Sequence, residues 1–293
     1  MAKFVFSAFA DEAGSTLKEQ ISALKDNGIG YIEPRNIEGK GIINFTEDEL
    51  KEIKAELDKN GIKVNSLGSP IGKYDINADF EHHFEATKKA IRAAEILDTK
   101  YIRMFSFFVS QEELSEKRDE VIQRLTAMAD EAEMHGITLC HENESRIYGQ
   151  MPGEVADILT SVPKLGGIFD PANYRMNDAD VIEGINATLI NFKYMHIKDA
   201  VYSTQTIMPA GEGEGKIGEI IDLINEKNDD VVFLTLEPHL HIFDAYKSID
   251  EHELKSKYVF SSNREAFDFA VKSLETLLIN HGYRKDENNQ WKK

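Results

Sequence analysis

Cysteine is almost absent: Cys140 is the only one among the 293 residues, so the chain cannot form an internal disulfide. Such usage is typical of reducing compartments, and we expect a cytoplasmic protein. No apolar run approaches the roughly 20 residues that a membrane-spanning helix requires. The apolar N-terminal segment is short and runs directly into Asp11 and Glu12, so we interpret it as a strand rather than a signal peptide.

Positive charge is also scarce. The chain has 34 Lys and Arg residues against 52 Asp and Glu residues, a net charge of −18. Proteins that bind duplex nucleic acid or anionic membranes rely on the opposite sign of charge. We therefore expect a small-molecule ligand, with neither nucleic acid nor membrane as a partner. The sequence leaves the oligomeric state open, with a homo-oligomer as one option.

Segments with strand-like and helix-like patterns alternate along the whole chain. Helical spacing of apolar residues predicts helices over 17–27, 47–60, 84–97, 121–135, 155–162, 181–189, 217–225 and 267–279. Short apolar runs predict strands over 4–9, 31–34, 63–67, 101–105, 137–142, 167–170, 192–197 and 231–237. Eight strand–helix pairs predict an α/β fold, a single (β/α)8 TIM barrel. A doubly wound open sheet is the alternative, although the chain has neither a glycine-rich dinucleotide turn nor a phosphate-binding loop motif.

The predicted barrel occupies residues 1–283 and is followed by a polar C-terminal tail, residues 284–293. One connection is unusually long: residues 238–263 join the last strand to the last helix and are rich in His, Phe, Tyr and Lys. Loops of this length on the carboxyl face of a barrel often form lids or substrate walls, and we expect this of residues 238–263, which include Tyr246.

Four of the predicted strands end in a potential metal ligand: Glu142, Asp170, His196 and Glu237. The carboxyl ends of parallel strands in a barrel surround one mouth, so these side chains are expected to converge there. Three carboxylates and an imidazole without a thiolate suit one divalent metal ion such as Mn²⁺, Zn²⁺, Mg²⁺ or Co²⁺. Cys140 precedes Glu142 by two residues and is expected in the apolar layer inside the barrel.

The two glutamates suggest the chemistry. A divalent cation can polarise a carbonyl and stabilise the enediolate that forms when an α-proton leaves. Glu142 and Glu237, separated by two strands around the barrel, could remove and return that proton. Lys198 could hold a substrate oxygen or the developing negative charge. His239, two residues after Glu237, is expected to line the mouth of the site.

Five segments resemble the sugar isomerase and epimerase superfamily that has the xylose-isomerase-like barrel. Its members include ketose 3-epimerases, hydroxypyruvate isomerase, inosose dehydratase and isomerase, and the endonuclease IV type of repair enzyme. The segments are His141-Glu142-Asn143, Phe169-Asp170-Pro171-Ala172-Asn173, Met195-His196-Ile197-Lys198-Asp199-Ala200, Gly211-Glu212-Gly213-Glu214-Gly215 and Leu236-Glu237-Pro238-His239. The resemblance implies that Glu142, Asp170, His196 and Glu237 are the metal ligands and that both glutamates act as acid and base.

The resemblance also shows a departure. Ketose epimerases have a histidine three residues after the aspartate, where this chain has Asn173, which can still donate a hydrogen bond to a sugar hydroxyl. The acidic charge disfavours the repair nucleases, and Glu212 and Glu214 in the loop after the seventh strand favour a neutral polyol or keto-sugar over a sugar phosphate.

We therefore expect a metal-dependent isomerase or epimerase of a small sugar, keto-sugar or inosose, active in carbohydrate metabolism with manganese among the candidate ions. One alternative is a metal-dependent dehydratase, a lyase acting on an inosose-like or dehydroshikimate-like substrate, since both reactions begin with the same proton abstraction. A barrel that binds a sugar without catalysis is the other alternative.

Overall fold

The computed structural model describes residues 1–243 and 257–293. The strands are β1 (Lys3–Ala8), β2 (Tyr31–Ile32), β3 (Asn36–Ile37), β4 (Lys40–Gly41), β5 (Lys63–Val64), β6 (Tyr101–Met104), β7 (Thr138–Glu142), β8 (Gly166–Phe169), β9 (Phe192–Ile197), β10 (Asp199–Val201), β11 (Thr206–Met208), β12 (Val231–Leu236), β13 (Arg284–Lys285) and β14 (Gln290–Lys292). The α-helices are α1 (Leu17–Asp26), α2 (Glu47–Lys59), α3 (Phe80–Leu97), α4 (Leu114–Met134), α5 (Pro152–Ser161), α6 (Pro171–Met176), α7 (Val181–Thr188), α8 (Ile217–Lys227) and α9 (Asn263–Asn280).

Parallel pairing closes the predicted barrel. Strands β1, β12, β9, β8, β7 and β6 pair in that order. The N–H of Arg103 in β6 donates to the carbonyl of Leu67 beyond β5 at 2.9 Å, and β5 pairs with β2. The N–H of Glu33, just after β2, donates to the carbonyl of Ala8 in β1 at 3.0 Å. The (β/α)8 prediction is therefore confirmed.

Several helices begin earlier than their apolar spacing indicated. Helix α3 begins at Phe80 rather than at residue 84, because the Asp79 side chain accepts a hydrogen bond from the N–H of Glu81 and caps the helix. The first turns of α3 and α4 each contain a single apolar residue, Phe80 and Leu114, among polar ones, and the short α6 was not predicted. A mostly polar first turn has no apolar periodicity. The spacing of apolar residues therefore predicts a helix only from the point where its buried face begins. Among the described residues, no helix has the length and hydropathy needed to cross a bilayer.

The interior of the barrel contains the apolar layer expected beneath the ligands. Cys140, Ile168 and Tyr194 form a buried cluster of their own, against which Tyr101 and Phe233 pack. This cluster is separate from the larger core that the helices form around the sheet. Burial raises the pKa of the Cys140 thiol well above its usual value, so this side chain behaves as a small apolar group.

The division of the chain at residue 283 stays a prediction, but the structure shows how the polar segment beyond it is held. Strands β13 and β14 form a hairpin, and β14 pairs antiparallel with β1. Trp291 is buried and stacks on Phe6 with ring centroids 5.7 Å apart. The hairpin thus covers the part of the β1 edge that the two-residue strand β2 is too short to reach.

Candidate metal and catalytic site

The four predicted ligands meet at the carboxyl end of the barrel. Glu142 is the last residue of β7, His196 lies in β9, and Asp170 and Glu237 directly follow β8 and β12. Each is at most 2% exposed. One potential ligand atom from each side chain lies within 4.8 Å of all the others. Parallel strands thus bring together residues that are far apart in sequence.

The imidazole of His196 has a defined orientation. Its Nδ1 lies 3.0 Å from Oε1 of Glu142 and 3.4 Å from Oε2 of Glu237, so this nitrogen faces the cluster. The rings of Phe9 and Tyr194 meet the imidazole edge to face, with centroid distances of 5.1 and 5.5 Å. Packing from two sides therefore limits rotation of the imidazole.

Burial and unlike charges compete within the cluster. Burial opposes ionisation of Glu142, but His196 and Arg103 outweigh it and lower the pKa of Glu142 to about 2. Burial also disfavours the imidazolium of His196, yet the carboxylates of Glu142 and Glu33 raise its pKa to about 10. For Asp170, burial is the dominant cause and raises the pKa to about 7. Both raised pKa values favour the protonated forms and so reduce the negative charge of the cluster, a function that a divalent cation would take over.

The donor set fits such a cation. Oδ2 of Asp170 and Oε2 of Glu237 are buried and accept no hydrogen bond of normal geometry from the described residues, although Nζ of Lys198 forms ion-pair contacts with both. Buried polar atoms that lack a hydrogen bond are uncommon in native proteins and often indicate an ion or water. Three carboxylates and one imidazole are ligands that Zn²⁺, Mn²⁺, Mg²⁺ and Co²⁺ accept.

The three residues predicted to bind substrate lie beside the cluster. Asn173 in α6 points Nδ2 towards Oε1 of Glu142 at 3.4 Å. Nζ of Lys198 lies 3.0 Å from Oδ2 of Asp170 and 3.8 Å from Oε2 of Glu237. Nε2 of His239 lies 3.6 Å from Oε1 of Glu237. All three side chains are buried, so they line the interior of the site rather than its outer rim.

Two buried arginines at the site were missed by the sequence analysis. Arg35, which follows β2, donates from Nη1 to Oε1 of Glu237 at 2.7 Å and from Nε to Asp11 at 3.0 Å. Arg103 in β6 lies between the two glutamates, with Nη1 3.3 Å from Oε2 of Glu142 and 3.7 Å from Oε1 of Glu237. Both guanidiniums also lie over the ring of Phe9. A charged residue within or just after an apolar strand was the signal that could have identified them.

Glu12 belongs to the same buried network. It lies close to Glu237 and His239, and its Oε2 accepts the backbone N–H of His239 at 2.7 Å. Burial raises the pKa of Glu12 to about 8, although Arg35 opposes the shift. Arg35 contacts both Glu12 and Glu237 and already supplies positive charge between them. Glu12, Glu237 and His239 thus form a second group of potential ligands, but one that already contains a cationic side chain.

The glycine-rich loop 211–215 is organised by Asp199, which follows Lys198 in the chain. The carboxylate of Asp199 accepts four backbone N–H groups, at 2.8 to 3.0 Å, from Ala200, Gly211, Gly213 and Gly215. A Cβ atom at Gly213 would lie 2.2 Å from Oδ1 of Asp199. Glycine at this position is therefore what permits the close approach of the loop.

The start of the predicted lid is described. Residues 238–243 directly follow Glu237, and the ring of Phe243 stacks on His239 with centroids 5.7 Å apart. The guanidinium of Arg35 lies 5.2 Å from the centre of the Phe243 ring. Of the rest of the predicted lid, residues 244–256, which include Tyr246, lie outside the described residues. Residues 257–263 are described, and the hydroxyl of Tyr258 donates to Glu212 at 2.5 Å.

Solved structures of other proteins have the same fold at low sequence identity. The IOLI protein with a bound zinc atom has a TM-score of 0.71 and 18% identity, covering 95% of this chain and 99% of that one. The probable 3-DHS dehydratase AsbF from Bacillus anthracis, involved in petrobactin synthesis, has a TM-score of 0.70 and 15% identity over 94% and 99%. D-Psicose 3-epimerase from Clostridium cellulolyticum has a TM-score of 0.68 and 14% identity over 93% and 98%.

Comparison with curated protein sequences gives no significant match. The profile of the xylose isomerase-like TIM barrel family, in contrast, matches residues 21–254. This range contains β2 to β12 and all four predicted ligands. The chain therefore belongs to the xylose isomerase-like TIM barrel family.

Proposed function

We propose that this protein is a divalent-metal-dependent isomerase or epimerase of a small sugar, keto-sugar or inosose. The observation that carries the proposal is the burial of Glu142, Asp170, His196 and Glu237 around one point, with a ligand atom of each within 4.8 Å of the others. A divalent cation bound there would polarise a substrate carbonyl and stabilise the enediolate. The zinc in the related IOLI structure is consistent with such an ion.

Glu142 and Glu237 are the proposed catalytic acid and base. They lie on β7 and next to β12, with β8 and β9 between them in the barrel. One carboxylate removes the α-proton from one face of the substrate carbon, and the other, in its carboxyl form, returns a proton to the opposite face. The two groups exchange protonation states in each epimerisation. Return to the neighbouring carbon by the first group, with a proton passing from the adjacent hydroxyl to the former carbonyl oxygen, gives aldose–ketose isomerisation instead.

Three further side chains are proposed to bind the substrate. The ammonium of Lys198, next to Asp170 and Glu237, can donate to the oxygen on which negative charge develops. The amide of Asn173 and the imidazole of His239 can donate to hydroxyl groups on either side of the reacting carbon. Since all three are buried, they also exclude water from that carbon.

The charges of the buried network favour a neutral substrate. Among the described residues, six carboxylates face three cationic side chains within it: Asp11, Glu12, Glu33, Glu142, Asp170 and Glu237 against Arg35, Arg103 and Lys198. A divalent cation, together with a neutral carboxyl on Glu12, balances this difference. A sugar phosphate would add a dianion to a balanced site, whereas a polyol or keto-sugar adds no charge.

Isotope exchange tests the proposal. The metal-loaded protein is incubated in D₂O with a panel of keto-sugars, inososes and polyols, and deuterium at carbon is followed by mass spectrometry. We expect wash-in with a substrate of this class and its loss in Glu142→Gln and Glu237→Gln. Glu144→Gln is the matched control, because Glu144 pairs with Lys73 at 2.9 Å and lies outside the cluster. Exchange that persists in both Gln variants, or is absent with every compound, contradicts the proposal.

A dehydratase is the second candidate. The observation that favours it is the ammonium of Lys198 within 3.8 Å of Glu237, which could protonate a departing β-hydroxyl while a glutamate removes the α-proton. The same incubations distinguish the two reactions. An enone product absorbs in the near ultraviolet, whereas epimerisation and isomerisation of a saturated sugar leave that region blank.

A further inference from the structure

The nitrogen of His196 that points away from the cluster faces a second buried carboxylate. Nε2 of His196 lies 3.4 Å from Oε2 of Glu33, and both residues are 0% exposed. Neither atom makes a hydrogen bond within the described part of the chain. Two buried polar atoms of opposite character thus face each other slightly beyond normal hydrogen-bond distance.

A chain of hydroxyl groups holds Glu33 in this position. The other oxygen of Glu33, Oε1, accepts a hydrogen bond from the phenol of Tyr194 at 2.8 Å. The Tyr194 oxygen is in turn 2.8 Å from the hydroxyl of Ser66. Because an ionised carboxylate only accepts, the phenol must donate to Glu33, which leaves Ser66 to donate to the phenol. Glu33 is therefore fixed at one oxygen and free to accept at the other.

We propose that Glu33 is a positioning residue of the cation site, which accepts a hydrogen bond from Nε2–H of His196 and thereby presents Nδ1 to the cation. A neutral imidazole carries one proton, so a proton held on Nε2 leaves the Nδ1 lone pair directed at Glu142 and Glu237. The carboxylate of Glu33 also makes that lone pair more basic. Histidine ligands in metalloproteins commonly depend on such a partner.

The sequence position of Glu33 agrees with this role. It directly follows β2, which β1 separates from β12 and Glu237 in the barrel, and its side chain enters the barrel at the level of Tyr194. The charged residue two positions later, Arg35, enters the same interior and reaches Glu237. The short strand β2 thus supplies one support for each of two proposed ligands, His196 and Glu237.

Metal affinity and NMR together test the role of Glu33, which rests on the proposed cation site but not on the proposed reaction. We expect Glu33→Gln, which keeps an acceptor and loses the charge, to weaken Zn²⁺ binding by about 10-fold, and Glu33→Met, which loses both, by about 100-fold. Affinity is measured by chelator competition. Asp11→Asn is the charge control, because Asp11 is also a buried carboxylate, 6% exposed, and it contacts Arg35 and not His196.

NMR of the ¹⁵N-histidine-labelled zinc form reports on the wild type itself and so does not depend on any variant folding. We expect Nε2 of His196 to carry the proton, with a downfield, slowly exchanging resonance that moves upfield in Glu33→Gln. A proton on Nδ1, a resonance unchanged in the variant, or an equal loss of affinity in Asp11→Asn would overturn the proposal. A wild-type protein that binds no Zn²⁺ would instead refute the cation site.

Discussion

Arg35 binds Glu237 and Asp11 at the same time: its Nη1 donates to Oε1 of Glu237 at 2.7 Å, while Nε and Nη2 donate to the two oxygens of Asp11 at 3.0 Å each. The guanidinium is 4% exposed, so these contacts are formed away from water. A barrel mouth with so many carboxylates needs positive charge in the folded protein, and Arg35 provides part of it.

Arg35→Gln is expected to destabilise the metal-free protein by about 3–5 kcal/mol, because it leaves buried carboxylates without their cation. Urea unfolding in the presence of a chelator measures this loss. Zn²⁺ should restore more stability to the variant than to the wild type, since the ion replaces the missing charge. Arg92→Gln is the control: its guanidinium is 53% exposed and pairs with Glu47, so we expect a change below about 1 kcal/mol. Equal small effects in both variants contradict the assigned role of Arg35.

Lys198→Met is expected to lower turnover by about 10²–10³-fold, because the donor to the developing negative charge is lost. Initial rates are measured on the substrate that shows deuterium wash-in. Lys193→Met is the matched control on β9, the strand that Lys198 directly follows, since Nζ of Lys193 donates to Asn191 at 2.9 Å, away from the cluster. If the two variants lose activity equally, Lys198 has no special place in the reaction.

Acid should destabilise the fold through His83. This imidazole accepts the N–H of Gly72 at Nε2, and burial lowers its pKa to about 4, so the folded protein keeps it neutral. Between pH 6.5 and 4 the unfolded chain binds a proton that the folded one excludes, so stability is complete above pH 6.5 and is lost as the pH falls. We expect His83 to contribute about 1–2 kcal/mol to the loss at pH 4.5.

The variants His83→Gln and His82→Gln isolate this contribution. Glutamine at position 83 can still accept the Gly72 N–H but does not titrate, so the difference in unfolding free energy between pH 7 and pH 4.5 should shrink. His82 precedes His83 on α3 and is exposed, which makes it the neighbouring control. An unchanged pH dependence of the unfolding free energy in His83→Gln would show that other groups cause the loss of stability at low pH.

Gly213→Ala is expected to destabilise the protein by more than about 2 kcal/mol, because the added methyl group would collide with the Asp199 carboxylate. The same substitution at Gly153 places the new Cβ more than 4 Å from every described residue that it could meet, and it should be neutral. The melting temperatures of the two variants are compared by thermal unfolding. Equal melting temperatures would mean that the loop relaxes without losing its hydrogen bonds to Asp199.

The barrel and the four proposed ligands were predictable because both depend on local patterns. Periodicity marks each strand and helix, and parallel strands place their carboxyl ends on one face. Glu142 and His196 therefore converge without any knowledge of side-chain packing. Helix starts such as that of α3 were less accessible, since a cap residue such as Asp79 has no periodic signature.

The residues that contact the proposed ligands and hold them in place were not predictable in the same way. Arg35 and Glu33 follow a strand of two residues, β2. The direction in which their side chains point depends on how β2 packs between β1 and β5. Arg103 lies within β6, where an isolated charge is compatible with either face. Which side chains point into the barrel is decided only when the barrel closes. A change of one residue in the pairing register of a strand turns each of its side chains to the opposite face.

An anomalous difference map from crystals soaked in Zn²⁺ tests the cation site most directly. We expect one dominant peak about 2.0–2.2 Å from an oxygen of Glu142, Asp170 and Glu237 and from Nδ1 of His196. A map without a peak between these four side chains, or with its main peak beside Glu12 and His239, would contradict the proposed site.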